Sequence, residues 1–415
     1  MTVLTDIGTL ATCPPDAARQ DDVGEVRDAA LVWDDSGTVV WAGPAAALPE
    51  AFSAAHPGVR RDSARGALVV PGLVDCHTHL AFAGDRSAEF VARLRGADYL
   101  AQARQGGGIA ATMRATRAAT EDELFASAQA RLAAMLALGV TTVEAKTGYG
   151  LSLAAEMKTL AVYERLAREG PQRIVPTLLA AHTVPPEFQH DRAAYVRLVC
   201  DEIIPAASGR AAFCDAFVEQ GAFTVAEAER VFAAGIAHGM TPKLHADQLT
   251  DTGGAALAAR VGAASADHLE CVSDAGIAAL AAAGTVAVSL PTATLVLGQD
   301  PLPARRLLDA GVPVAVATDF NPGSAPSPDL HLALWLACTR QRMTPAEALA
   351  GATSAAARAL RLAGVVGSLV PGARADVLAL DASGVTEWLY DFRAGRVRGV
   401  WTGGREVWRG GKFGE

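Results

Sequence analysis

Eight short apolar runs, each separated from the next by a stretch with helical spacing, constrain this chain more than any other feature; they span 67–75, 140–146, 173–181, 216–219, 241–245, 263–268, 285–290 and 312–318. Apolar strands alternating with helices mark βαβ units, because a parallel strand is covered on both faces and must be apolar on both. Eight such units predict a TIM-type (β/α)8 barrel, which takes about 250 residues. The chain has 415. A second, smaller unit is therefore expected.

The surplus lies at both ends. Residues 1–65 hold short β-type runs broken by turn signals: Ala30 to Trp33, then Asp35-Ser-Gly37, then Thr38 to Trp41, then Gly43-Pro44. That is hairpin chemistry. The C-terminal part repeats it, with Ala375 to Leu380, Val397 to Trp401, Gly403-Gly404 and Glu406 to Trp408. The expected organisation is an α/β chain, with a barrel over 66–360 and a small β-sandwich domain assembled from 1–65 and 361–415.

Composition narrows the function classes. At 51% hydrophobic and 20% charged residues the chain can fill a large core, which excludes disorder over most of its length. A net charge of −9 without a basic stripe excludes a general binder of the phosphate backbone. The six cysteines are scattered singly, which points to a reducing, cytoplasmic setting rather than a disulfide framework. In residues 1–20, Asp6 precedes any basic residue and no apolar core follows, so no signal peptide is expected. The longest uncharged stretch, 277–299, is rich in Ala, Gly, Ser and Thr and contains Pro291. It reads as an alanine-rich helix turning into a buried strand, not a membrane span. Neither nucleic acid nor membrane is an expected partner.

In a barrel of this type the chemistry sits where the strands end. The first run closes with Pro-Gly-Leu-Val-Asp-Cys-His-Thr-His, from Pro71 to His79. Residues two apart on an extended strand share a face, so His77 and His79 would point together into the mouth. The fifth run ends in His245 and the eighth in Asp319. Four nitrogen and oxygen donors of this kind suit zinc or iron with one position open to water. Asp319 would equally serve as a cap or turn residue before Asn321-Pro-Gly323. The sixth run ends in His268, a general base, a hydrogen-bond donor to a developing oxyanion, or a core histidine. The second run buries Glu144 and Lys146, which must pair if both lie inside the barrel.

This arrangement resembles the amidohydrolase superfamily: Pro-Gly-Leu-Val-Asp-x-His-x-His, a later strand-end histidine, another histidine, then Thr-Asp, and a β domain split between the termini. The resemblance covers nearly the whole chain. The segments 79–90, 106–109, 144–150, 181–187, 244–248 and 318–324 are similar to one branch of it, whose members open an imidazolone ring bearing a propionate by means of a metal-activated water. The resemblance implies one Zn or Fe ion held by His77, His79, His245 and Asp319. Arg86, Tyr149, His182, Gln248 and Ser324 would contact the substrate, and Tyr149, Asn321 and Gly323 the product.

The chemistry of these side chains agrees. Arg86 offers a planar fork that suits a carboxylate, although a surface ion pair with Asp85 or Glu89 would use the same group. Tyr149 and His182 would otherwise cap or pack at loop starts, and the Asn321–Gly323 turn would either face an anion with its backbone or simply turn. Glu219 stands where two-metal relatives place a bridging lysine, which implies a mononuclear site. Where the deaminase-like branch often carries a glutamate, this chain has Gln248, which cannot transfer a proton as a carboxylate does. His268 and Asp319 are then expected to share the proton work. A nucleobase aminohydrolase acting on guanine or cytosine is the rival reading, and an inactive barrel kept as a binding protein is another. A homodimer is the expected assembly.

Overall fold

The computed structural model describes residues 1–52, 58–96, 107–393 and 395–410. Gly106, from the 106–109 segment, lies outside the described residues.

Among the described residues, sixteen strands fall into two sheets. The first holds β1 (Thr2–Ala11), β2 (Glu25–Trp33), β3 (Val39–Pro44), β4 (Arg60–Ser63), β5 (Leu68–Pro71), β14 (Val377–Leu380), β15 (Val397–Thr402) and β16 (Arg405–Arg409). The second holds β6 (Leu73–Asp75), β7 (Val140–Lys146), β8 (Arg173–Ala181), β9 (Phe213–Val218), β10 (Thr241–Ala246), β11 (Ser265–His268), β12 (Val286–Ser289) and β13 (Val314–Val316).

The terminal sheet runs β16-β15-β14-β5-β1-β2-β3, with β4 beside β1. Strands from the two ends of the chain meet where β14 pairs antiparallel with β5, Leu378 opposite Val70. The expected sandwich thus takes the form of one mixed sheet. Its inner face packs Leu4, Ile7, Leu10, Leu31, Trp33, Val69, Val377 and Trp401 into a core separate from that of the barrel.

The first apolar run, expected as one strand over 67–75, is divided between the sheets. Gly72 is the break, because a Cβ at that position would run into the Thr141 side chain. Periodicity could not reveal the division, since both halves are fully buried and equally apolar. The fourth run is also displaced, β9 covering Phe213–Val218 rather than 216–219. Its start was hidden by Asp215, a charged residue inside an otherwise apolar strand.

The barrel strands follow chain order from β6 to β13, every pair parallel. Between them, helices such as Glu121–Ala137 and Val225–Ala237 begin with capping boxes, Thr120 with Glu123 and Thr224 with Glu227. The uncharged stretch 277–299 resolves into the end of helix Asp274–Ala283, strand β12 and helix Pro291–Leu297. No helix among the described residues is long and apolar enough to cross a membrane.

The seam between the first and last strands closes at the mouth. Asp319 N donates to the His77 carbonyl at 3.1 Å, and His79 N to the Phe320 carbonyl at 2.9 Å. Just below, the Asp75 carboxylate accepts from Thr318 N at 3.1 Å and Thr318 Oγ1 at 2.6 Å. Barrel closure therefore fixes His77, His79 and Asp319 against one another.

Candidate active site

His77, His79 and His245 come together at the C-terminal mouth, one ring nitrogen of each lying within 4.8 Å of the others. All three are buried. Asp319 Oδ1 stands 3.4 Å from His77 Nε2 and 3.5 Å from His79 Nε2. Burial pushes the His77 and His79 pKa values well below the usual imidazole range, aided by the cations and rings around them, so both stay neutral. Neutral imidazole is the form that ligates a metal. Burial also pushes Asp319 up to about 6, against the pull of His268 and His245.

Hydrogen bonding shows which nitrogens are available. His77 Nδ1 meets Asp267 Oδ2 at 2.6 Å, and His245 Nδ1 lies 3.2 Å from Asp215 Oδ1. A carboxylate at Nδ1 fixes the proton there, leaving Nε2 with its lone pair. His77 Nε2, His245 Nε2 and His79 Nδ1 are all buried without a hydrogen-bond partner. Orphaned buried nitrogens are costly unless something else satisfies them. A metal cation fits this donor set, with histidines oriented by carboxylates behind them.

Directly beneath the histidines lies a layer of charged side chains. Lys146 Nζ donates to Glu144 Oε1 at 2.9 Å and to Asp215 Oδ2 at 2.8 Å, and lies 3.4 Å from Asp267 Oδ2. Lys243 Nζ donates to Glu144 Oε2 at 2.8 Å and to the Cys76 carbonyl at 3.1 Å. Burial opposes the Lys146 charge, but Asp215, Glu144 and Asp267 outweigh it and hold its pKa above that of an ordinary lysine. In the same way Lys146 and His245 overcome burial and hold Asp215 below the carboxylate range. The expected Glu144–Lys146 pair is therefore present. Glu219 is not part of this cluster. It accepts from Leu249 N at 2.7 Å and from the Thr250 hydroxyl, tethering the loop that carries Gln248.

His268 is buried at the end of β11, with its ring centroid 5.4 Å from that of His245. Its Nδ1 has no hydrogen-bond partner and faces Glu270 Oε2 at 3.8 Å. Burial disfavours its charged form, yet Glu270, Asp319 and Asp267 prevail and raise its pKa above the ordinary imidazole value. His268, Leu269 and Asp319 adopt φ of 78°, 67° and 53°, left-handed conformations that non-glycine residues rarely hold. Such strain costs of order 1–3 kcal/mol per residue and clusters at functional sites.

The expected substrate contacts sit around this centre to different degrees. His182 stacks on His79 at 5.2 Å, and Tyr149 lies 5.6 Å from His79 and 5.5 Å from His182. His182 Nδ1 bonds the Gly148 carbonyl at 3.0 Å, and burial together with His245 pulls its pKa down to about 3. The Tyr149 loop is held from below by Glu156, which accepts from Gly150 N at 2.9 Å and Leu151 N at 2.7 Å. Tyr149, Phe82 and Phe320 form an apolar wall. Arg131 lies 3.5 Å over the Phe82 ring and donates to the Leu80 and Phe82 carbonyls at 2.8 and 3.1 Å.

Arg86 is buried, but with a carboxylate already beside it: its Nη2 donates to Glu89 Oε2 at 2.7 Å. Glu89 Oε1 in turn accepts from Gly108 N at 2.9 Å, tying Gly108 to Arg86. Gly323 packs directly against the Arg86 guanidinium, where any Cβ would collide with it. In the 321–323 turn, Gly323 N and Ser324 N both donate to Asn321 Oδ1 at 2.8 Å. Asn321 Nδ2 is engaged as well, on the Asp319 carbonyl at 2.7 Å and Ser324 Oγ at 3.0 Å. Asn321 thus shapes the turn, since its hydrogen-bonding capacity is spent within it. Gln248 is half-buried in the loop after β10, and its carbonyl accepts from Cys271 Sγ at 3.7 Å. All six cysteines are free thiols.

Sequence reasoning passed over Asp215, Asp267, Glu156 and Arg131. The first two carried a readable signal, a carboxylate inside an apolar strand. Glu156 and Arg131 lie on helices and carried none.

A nearly closed parallel barrel with a histidine cluster at its C-terminal mouth, flanked by a sheet from both termini, defines an enzyme of the amidohydrolase type. Comparison agrees: the amidohydrolase family pattern matches residues 68–407. Similar curated proteins include the imidazolonepropionase of Geobacillus kaustophilus, 47% identical over 396 residues, covering 95% of this chain and 93% of the relative. Another is the imidazolonepropionase of Myxococcus xanthus, 49% identical over 390 residues, with 93% and 92% covered. The chain belongs to the amidohydrolase family, in its imidazolonepropionase branch. Among solved structures, the 5-methylcytosine deaminase of Klebsiella pneumoniae shares the fold with a TM-score of 0.73 at 17% identity, covering 100% of this chain and 98% of that one. A zinc-bound adenosine deaminase from Xanthomonas campestris does so with a TM-score of 0.71 at 20% identity, with 98% and 92% covered.

Proposed function

We infer that this chain is a metal-dependent hydrolase that opens the ring of 4-imidazolone-5-propanoate to give N-formimino-L-glutamate, a step of histidine degradation. The observation that carries the reading is near-half identity to curated imidazolonepropionases over almost the whole chain. The histidine cluster with its orphaned nitrogens supports it from the chemistry.

In the reaction water adds to the ring carbonyl carbon, the bond from that carbon to the ring nitrogen breaks, and the nitrogen gains a proton. His77, His79, His245 and Asp319 would hold one Zn or Fe ion, which would supply Lewis acidity and lower the pKa of a bound water toward about 7. The protein supplies the rest. His268, its pKa raised beside Glu270, donates to the oxygen on the tetrahedral carbon. Asp319, at the same mouth, passes a proton to the departing nitrogen. His182 is neutral and bonded through Nδ1, so its Nε2 accepts from the substrate. Tyr149 closes the apolar side, and Gln248 and Ser324 add hydrogen bonds from neighbouring loops. Arg86, set by Gly323 and Glu89, receives the propionate, while Asn321 acts by holding Gly323 and Ser324 in place.

Gly323→Ala tests the Arg86 assignment. The added Cβ displaces the guanidinium, and a charge-assisted hydrogen bond is worth roughly 1.5–3 kcal/mol. The expected result is KM raised about tenfold or more with kcat changed less, read by steady-state kinetics. An unchanged KM would free Arg86 from substrate binding.

A panel assay tests the function itself. Freshly generated imidazolonepropionate should lose its ultraviolet absorbance on incubation, while guanine and cytosine should release no ammonia. Ammonia from either base, with the imidazolone untouched, would favour the aminohydrolase reading.

A cytoplasmic homodimer completes the proposal. Trp335 and Phe392 stack at 5.0 Å beside Tyr390, which is 84% exposed, an aromatic surface suited to a second copy. Sedimentation at twice the chain mass is the expected result.

A further inference from the structure

We propose that Lys146 is a positioning residue that sets metal affinity, by holding together the two carboxylates that orient His77 and His245. The inference rests on the metal reading above and goes beyond it to a residue that touches neither metal ligand nor substrate.

The geometry is specific. Asp267 holds His77 Nδ1 and is steadied on its other oxygen by Ser265 Oγ at 2.5 Å. Asp215 holds His245 Nδ1. These carboxylates come from β11 and β9, and the histidines from the loop after β6 and from β10. Lys146, from β7, reaches both, at 2.8 Å to Asp215 Oδ2 and 3.4 Å to Asp267 Oδ2. Among the described residues no other cation touches both. Lys243 is equally buried in the same layer and carries the same charge, but its partners are Glu144 and the Cys76 carbonyl.

The layer holds three carboxylates, Glu144, Asp215 and Asp267, against two ammonium groups, and all five side chains are fully buried. Without Lys146, Asp215 and Asp267 lose their shared counter-charge and the hydrogen-bond donor that fixes Asp215. Each carboxylate then rotates to find another partner. The histidine it orients turns with it, and the ligand set loses its common focus. Partners behind metal ligands typically contribute about 10–100-fold to metal affinity.

The comparison of Lys146→Met with Lys243→Met isolates this role, because both remove one buried ammonium from one layer. Metal-free full-length protein is titrated with Zn2+ against a chromophoric chelator, and its melting temperature is measured in parallel. Lys146→Met should raise the Zn2+ dissociation constant about 10–100-fold and Lys243→Met less than about threefold, while the metal-free melting temperatures fall alike. Equal dissociation constants for the two variants would overturn the proposal and leave Lys146 a purely structural ion. If Lys146→Met does not fold, Lys146→Leu, which likewise removes both the ammonium and the donor, takes its place under the same criteria. Wild-type protein that binds no Zn2+ or Fe2+ would instead overturn the metal reading beneath the proposal.

Discussion

Replacing His245 with alanine is expected to empty the metal site and reduce turnover by about 10³-fold or more. His245 supplies one of three buried nitrogens that converge within 4.8 Å, and its Nε2 is among those with no partner in the protein. Its removal also strips Asp215 of the imidazole it holds, leaving Lys146 as that carboxylate's remaining charged partner in the layer. Lewis acidity and an acidified water together contribute several kcal/mol, and each 1.36 kcal/mol is about tenfold in rate. Elemental analysis should show little bound metal, with steady-state rates falling in parallel. Native metal content in this variant would remove His245 from the ligand set.

His268→Ala is expected to lose about 10²–10⁴-fold in kcat with metal content near normal, the range associated with a positioned acid or base. The separation from the first variant follows from geometry. His268 ends β11 outside the three-nitrogen cluster, with Nδ1 facing Glu270 at 3.8 Å. The protein also keeps His268 at a φ of 78°, a conformation that non-glycine residues rarely hold. Rates and metal content should therefore diverge here, where they fall together in His245→Ala. Wild-type kcat in His268→Ala would remove this residue from the mechanism.

What the sequence revealed follows from what strand ends display. His77, His79, His245, His268 and Asp319 close apolar runs, and the topology of a parallel barrel brings such positions to one mouth, so their convergence could be read without coordinates. The pairing of the termini was legible from turn-broken β runs at both ends. The division at Gly72 was not, because a run buried in two different cores looks the same as a run buried in one. Nor was the partner of Arg86: a fork suited to a substrate carboxylate is equally suited to Glu89, and only packing shows that Gly323 lies against it. The Asn321 turn was left open between two roles, and sequence did not show that its side-chain amide is engaged within the turn itself. Glu219 illustrates the opposite limit. Its place just past a strand end did not reveal that its carboxylate holds the Gln248 loop. The charged layer beneath the site was visible only in part, since sequence shows that Asp215 and Asp267 are buried charges but not which histidine each one holds.

The central claim is that ring opening depends on one metal ion held by this histidine cluster. It is tested most directly by stripping the protein with a chelator, returning Zn2+ or Fe2+ in steps, and following imidazolonepropionate turnover at each step. The account predicts no turnover without metal and a linear recovery that saturates at one ion per chain. Undiminished turnover in metal-free protein, or saturation at two ions, would contradict it.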